Sequence, residues 1–177
     1  ASKSELPSGW RFGTYEELAE VSTGKGLDKS KITKNGKYKV LGANGEIGKT
    51  DDYLLDSDLL VTGRVGTLGN VFISKGRVWI SDNVLISSPK KWFIFTYLTL
   101  KDFNFESLNR GSTQPLITQT DLKKVRVLLP DFSKIEAFEN CMRPLYDKIY
   151  QNNLQVEQLA CIRDVLLPRL MNGELKV

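Results

Sequence analysis

Residues 110–177 decide the fold of this chain: RGSTQPLITQTDLKKVRVLLPDFSKIEAFENCMRPLYDKIYQNNLQVEQLACIRDVLLPRLMNGELKV. They open on a polar elbow, Arg110-Gly111-Ser112-Thr113-Gln114, and pass through a β-prone run, Val125–Leu129, that stops at Pro130. From there to Asn172-Gly173 the chain reads as one long amphipathic helix. Starting at Ile135, apolar residues fall at Phe138, Met142, Leu145, Ile149, Val156 and Leu159, with gaps of three and four except where Asn152 interrupts. That heptad-like spacing predicts a seam facing another helix. Ser133 is the expected N-cap, with Glu136 three residues on. Pro144 lies inside the pattern and predicts a kink or the end of a first helical piece. A helix from Ser133 to Met171 is about 58 Å long. A rod of that length cannot bury its seam on the preceding part of the chain, so a partner helix is expected, and a homodimer with it. Asn152 either fixes the register of that pairing at a cost in stability or is a surface residue where the seam drifts off axis.

Working outward, Leu6-Pro7-Ser8-Gly9-Trp10-Arg11 reads as an extended lead-in, and Thr14 with Glu17 has capping-box spacing for a short helix. Val21 to Gly36 is polar and rich in Gly and Lys, which predicts a loop. Short β-rich runs follow at Tyr38–Leu41, Leu59–Val61, Asn70–Ile73, Val78–Ile80 and Val84–Ile86, with Lys75-Gly76 as a tight hairpin turn between two of them. Trp92 to Leu100 is expected to be a short buried helix, and Asp102 to Thr113 irregular. The expected fold class is α+β (of α/β type): a globular part with several short strands over 1–130, then a coiled-coil-like helical part over 131–177.

Composition narrows the chemistry. At 177 residues, 41% hydrophobic and 26% charged, the chain has ordinary globular proportions. No apolar run approaches the roughly 20 residues that span a bilayer, so no membrane partner is expected. The start, ASKSELPSGW, has no hydrophobic signal core, which predicts a cytoplasmic protein. Cys141 and Cys161 both fall within the helix, about 30 Å apart, and are expected to be reduced thiols. With two Cys and no His, Cys/His zinc sites and catalysis by a histidine base are excluded. No catalytic residue and no metal site is expected.

The net charge of +4 is unevenly placed. Residues 131–177 carry six Lys/Arg and seven Asp/Glu, so the first 130 residues hold a net +5. Between Gly24 and Lys49 seven lysines (Lys25, Lys29, Lys31, Lys34, Lys37, Lys39, Lys49) face only Asp28 and Glu46. Such a stripe fits phosphate contacts with duplex DNA, and it equally fits a solvated lysine-rich loop.

Two glycine-rich segments need weighing. Gly45-Glu46-Ile47-Gly48-Lys49-Thr50 ends like a phosphate-binding P-loop, but the glycine required five positions before Gly48 is Ala43, and no helix is expected after Thr50. Nucleotide binding at Gly45–Thr50, in a stand-alone enzyme, is therefore the alternative reading. Gly63-Arg64-Val65-Gly66-Thr67-Leu68-Gly69-Asn70 lies between two expected strands. There Arg64 is either a solvent-facing residue of a tight connection or a donor to phosphate or guanine. At the elbow, Arg110, Ser112, Thr113 and Gln114 either cap backbone groups or contact DNA, where Gln114 could read adenine.

The chain resembles one half of the specificity subunit of type I restriction-modification enzymes. The resemblance rests on Leu6-Pro7-Ser8-Gly9-Trp10, Gly45-Glu46-Ile47-Gly48, the Gly63–Asn70 segment, Gly111-Ser112-Thr113-Gln114-Pro115 with Asp121-Leu122, and the ending Leu166-Leu167-Pro168-Arg169-Leu170-Met171-Asn172-Gly173-Glu174. It implies a non-catalytic target recognition domain on a helical spacer, reading a half-target in duplex DNA. It also implies docking to methyltransferase (modification) subunits and to a restriction/translocase subunit. S-adenosylmethionine, ATP and magnesium would be bound by those partners and no cofactor by this chain. Because the resemblance covers one recognition unit where the family usually has two, it implies a half subunit that homodimerises or a piece of a longer subunit.

Overall fold

A computed structural model describes residues 6–66, 68–110 and 115–174. The chain divides into two compact units, residues 1–136 and 137–177. The described residues of the first unit form ten strands in three sheets. In chain order they are β1 (Arg11–Thr14), β2 (Ala19–Thr23), β3 (Tyr38–Gly42), β4 (Gly45–Thr50), β5 (Leu55–Asp56), β6 (Leu59–Gly63), β7 (Val71–Ser74), β8 (Arg77–Ile80), β9 (Val84–Pro89) and β10 (Arg126–Leu129). A first sheet has the order β2-β9-β6-β7 and is antiparallel throughout; a second, β4-β3-β8-β5, pairs β3 and β8 in parallel. β1 and β10 form a separate antiparallel ribbon that joins Arg11 to Leu129.

Hydrophobic patterning explains the layers. The β6 segment Leu59-Leu60-Val61 is apolar without alternation, as a strand covered on both faces should be. Leu60 and Leu85 of the first sheet face a core made with Leu18, Leu100, Ile117 and Leu122. Their neighbours Leu59, Val61, Val84 and Ile86 face the second sheet and pack with Leu41, Val78 and Ile80. Helix α1 (Phe93–Lys101) and the short α2 (Gln119–Lys123) supply Leu100 and Leu122 to the first core. The first sheet is thus the middle layer.

Several expectations hold and several are corrected. Thr14 and Glu17 form the capping box, around a single 3-10 turn, Tyr15–Glu17. The helix expected at Trp92–Leu100 is α1, and the strand expected at Val125–Leu129 is β10. The expected loop at Val21–Gly36 instead begins as β2, whose polar Ser22 and Thr23 sit on an antiparallel ladder with β9. Lys75-Gly76 is a turn, with Gly76 at φ +72, but it joins no hairpin. β7 pairs with β6 and β8 with β3 and β5, so this turn carries the chain from one sheet to the other.

The long helix is α3 (Phe132–Met171), 40 residues with Pro144 and Pro168 inside it. It continues through Pro144, so the expectation that a first piece ends there is not met. Pro144 removes one donor to Asn140, whose exposed position lets water satisfy the freed carbonyl. The cap is Asp131 and not Ser133: the Asp131 carboxylate accepts the amide and hydroxyl of Ser133 at 2.9 and 2.5 Å, and its backbone carbonyl accepts from Ile135. Ile135, expected in the seam, is instead buried at 3% exposure, and Met142 is half-buried; farther along, Leu145, Ile149, Val156 and Leu159 are between 52 and 64% exposed.

Candidate nucleic-acid interface

The first sheet brings three chain segments out at one end. Antiparallel register places Thr23 opposite Leu85 and Gly63 opposite Val84, so β2 and β6 end where β9 begins. The lysine-rich loop leaves this end through Gly24, whose amide donates to the Val84 carbonyl. A Cβ at Gly24 would lie 2.1 Å from the Ser81 carbonyl oxygen, so only glycine permits that approach. The Lys25 amide then bonds Ile80, and the Trp79 indole donates to the Lys25 carbonyl at 2.9 Å.

Beside it, a small ladder is built from three non-consecutive segments. The Arg64 amide donates to Asn83, while the Arg64 carbonyl accepts from Ile117 at 2.9 Å. Gly66 bonds Pro115, Val65 bridges Leu116, and the Arg110 amide donates to Leu116 at 3.1 Å. Asn109 Oδ1 accepts the Leu116 amide at 3.0 Å. Gln119 of α2 ties the group to the sheet through Thr23 Oγ1 at 3.3 Å. Arg64 and Arg110, 46 positions apart in sequence, therefore flank one ladder.

Their side chains differ. Arg110 is 70% exposed and pairs with Asp121 Oδ1 at 2.5 Å. Arg64 is half-buried, and its Nε meets no acceptor among the described residues. Ser112, Thr113 and Gln114 lie outside the described residues.

The lysine stripe runs elsewhere. Thr33 and Lys49 exchange backbone hydrogen bonds of 2.7 and 2.8 Å, which lays the loop along β4, the edge of the second sheet. Lys25, Lys29, Lys31, Lys34 and Lys37 are exposed and Lys49 is half-buried. Acidic groups close in that the window 24–49 did not count. Asp52 pairs with Lys31 at 3.1 Å, and Asp51 accepts the Lys37 amide at 3.3 Å. Counting both lowers the local excess from +5 to +3. Within the window, Lys39 pairs with Glu46 at 3.3 Å. Asp28 stays anionic as well, because the Ser30 amide and hydroxyl hold its carboxyl below the usual carboxylate range. The structure thus places Arg64, Arg110 and the Lys25 end of the loop near one sheet end, and the remaining lysines along another edge.

The P-loop alternative loses its geometry. Gly45–Thr50 is strand β4, and the Lys49 amide that a phosphate would need donates to Thr33 instead. Among the described residues no group of three or more His, Cys, Asp or Glu could hold a metal ion. No described helix is long and apolar enough to cross a membrane. Sequence reasoning missed Asp121 as the partner of Arg110. The signal was present in the Thr118-x-x-Asp121 capping spacing, which marks a carboxylate folded back at a helix start.

Comparison with known proteins matches residues 7–148 to the profile of the type I restriction modification DNA specificity domain. The chain is 29% identical to the type I restriction enzyme MjaIX specificity subunit of Methanocaldococcus jannaschii, aligning 98% of this chain with 46% of that protein. It is 26% identical to the HindI specificity subunit of Haemophilus influenzae, over 96% and 42% respectively. A solved S subunit of a type I system from M. genitalium superposes with a TM-score of 0.75 at 20% identity, covering 94% of this chain and 47% of that one. The HsdS subunit from Thermoanaerobacter tengcongensis gives 0.57 at 16%, covering 93% and 42%. These superpositions show the fold. The chain spans less than half the length of the curated relatives it matches most fully.

Proposed function

This chain belongs to the family of type I restriction-modification DNA specificity domains, and we propose that it is the non-catalytic module that chooses the DNA site. Its globular unit reads a half-target in duplex DNA. Its long helix pairs with a second copy, or with an equivalent helix of a longer subunit, and docks the methyltransferase subunits. A restriction/translocase subunit joins that core. S-adenosylmethionine, ATP and magnesium belong to those partner chains.

The observation that carries this reading beyond family membership is the pair Arg64 and Arg110 at one end of the first sheet, on a ladder that fixes both backbones. Guanidinium groups suit phosphate and guanine alike, and rigid backbones suit sequence reading. The lysines along β4 supply phosphate contacts, which position the duplex without specifying bases. The open seam of α3 supports helix pairing, because half-exposed Leu145, Ile149, Val156 and Leu159 gain from being covered.

The test is to reconstitute the chain with methyltransferase subunits and map the methylated sites on genomic DNA. A single short motif, altered or relaxed by Arg64→Ala, is the expected result. Methylation without sequence preference, or a motif unchanged by substitution of Arg64 and Arg110 together, would remove the DNA-reading role from this surface.

A further inference from the structure

Asp121 has a geometry that capping a five-residue helix does not require. Its carboxylate is 7% exposed yet holds two partners on different oxygens. Oδ2 accepts the Thr118 hydroxyl at 2.6 Å and the Thr118 amide at 3.4 Å, which completes the cap of α2. Oδ1 is left for Arg110 Nη2 at 2.5 Å. A buried carboxylate needs a cation, and this one draws its cation from a side chain that stays 70% exposed. Arg110 is therefore tied twice: at its backbone through Leu116, and at one corner of its guanidinium through Asp121.

Such a double anchor matters only for some kinds of contact. A phosphate can be met by a mobile cation acting as a point charge, lysine included. A base edge is read by two parallel N–H donors in a set plane, and a guanidinium has five donors in one rigid plane. Holding one corner of that fork on a buried carboxylate restricts the orientations open to the remaining donors. Arginine paired bidentately with O6 and N7 of guanine is the contact that this arrangement fits.

We propose that Asp121 is a positioning residue for DNA reading, which sets Arg110 as an oriented reader of a guanine edge. The inference rests on the DNA-reading function proposed above and deepens it. Asp121 itself touches no base. It acts by denying Arg110 the freedom to serve as a general phosphate contact, so its effect is on sequence preference before affinity.

The experiment uses the full chain, with a pool of random-sequence duplexes as the probe. Sequencing of retained duplexes gives the preference, and titration at several salt concentrations gives the salt slope. Asp121→Asn keeps an acceptor for Thr118 but loses the charge that holds Arg110. We expect it to cut enrichment of the selected sequence by about tenfold while affinity for the unselected pool does not fall. Arg110→Lys keeps the cation and leaves the cap of α2 untouched. It should lower enrichment as far as Asp121→Asn while leaving the salt slope unchanged, and the two substitutions combined should cost no more than either alone. If Asp121→Asn does not fold, the proposal can still be overturned by Arg110→Lys, through survival of the parent's selection. Sequence selection that survives Arg110→Lys, or losses that add in the double variant, would overturn the positioning role alone. An unaltered chain that retains no duplex at low salt would overturn the DNA-reading function and this inference with it.

Discussion

Replacing Ile149 and Leu159 together by alanine should weaken the helix pairing proposed above. Ile149 is 52% exposed and Leu159 64% exposed in the single chain, so pairing can hide roughly the outer half of each side chain. Truncation to alanine removes about three methylene-sized groups, worth about 2.4 kcal/mol at full burial and about 1.2 kcal/mol for the half that a partner covers. Two side chains in each of two copies then lose about 5 kcal/mol, or more than three powers of ten in the dissociation constant. Alanine is the strongest helix former, so α3 itself should persist. Sedimentation equilibrium over a wide concentration range measures the constant, and circular dichroism on the same samples checks the helix. The reasoning fails if the unaltered chain is a monomer at high micromolar concentration with its helix intact. It fails equally if the double variant associates as tightly as its parent.

Other outcomes follow from the same structure. Substituting Lys29, Lys31 and Lys34 by alanine should flatten the slope of log affinity against log salt by up to about 2.7, with Lys31 contributing least because Asp52 already holds it. An unchanged slope would make the stripe a solvated face. Leu60→Ala, at a fully buried position of β6, should cost about 2–5 kcal/mol in urea unfolding with the m-value unchanged. A cost under about 1 kcal/mol would contradict the middle-layer packing. The Ser133 hydroxyl, then its amide, hold the Asp131 carboxyl below the usual range. Its stabilisation of the helix start is therefore complete above the ordinary Asp pKa and lost only as pH falls through the lower folded value. An NMR titration of the Ser133 amide should show its step on that acidic side, and a step at the ordinary pKa would refute the cap.

Much of the fold was legible because burial leaves a pattern. The α3 periodicity from Ile135 to Leu159, the apolar run Leu59–Val61 and the apolar Trp92–Leu100 each announced their element. β2 was hidden because its outer positions, Glu20 and Ser22, are polar and only Ala19 and Val21 mark the core. β4 was hidden by its glycines, which look like a loop until Gly48 is seen at φ +154 in the ladder with β3. The sheet change at Lys75-Gly76 could not be read locally, because a turn's residues do not say which strands pair. The site was less legible than the fold. Arg64 and Arg110 stood out as single cations, but their common ladder depends on contacts between segments about 50 positions apart. The lysine excess was overcounted because Asp51 and Asp52 reach the loop only after folding.

The ribbon of β1 with β10 has a consequence for how such a module can be carried in a longer polypeptide. Arg11 sits opposite Leu129, so the chain enters and leaves the globular unit at neighbouring points. A host sequence interrupted there needs no widening to admit the unit. One unit can then replace another by exchange at two closely spaced junctions, leaving the flanking architecture undisturbed. The first two sheets oppose any smaller exchange. β2 pairs with β9 and β3 with β8, so a cut anywhere between β3 and β8 would divide both sheets at once. Exchange of the unit as one block leaves both sheets whole.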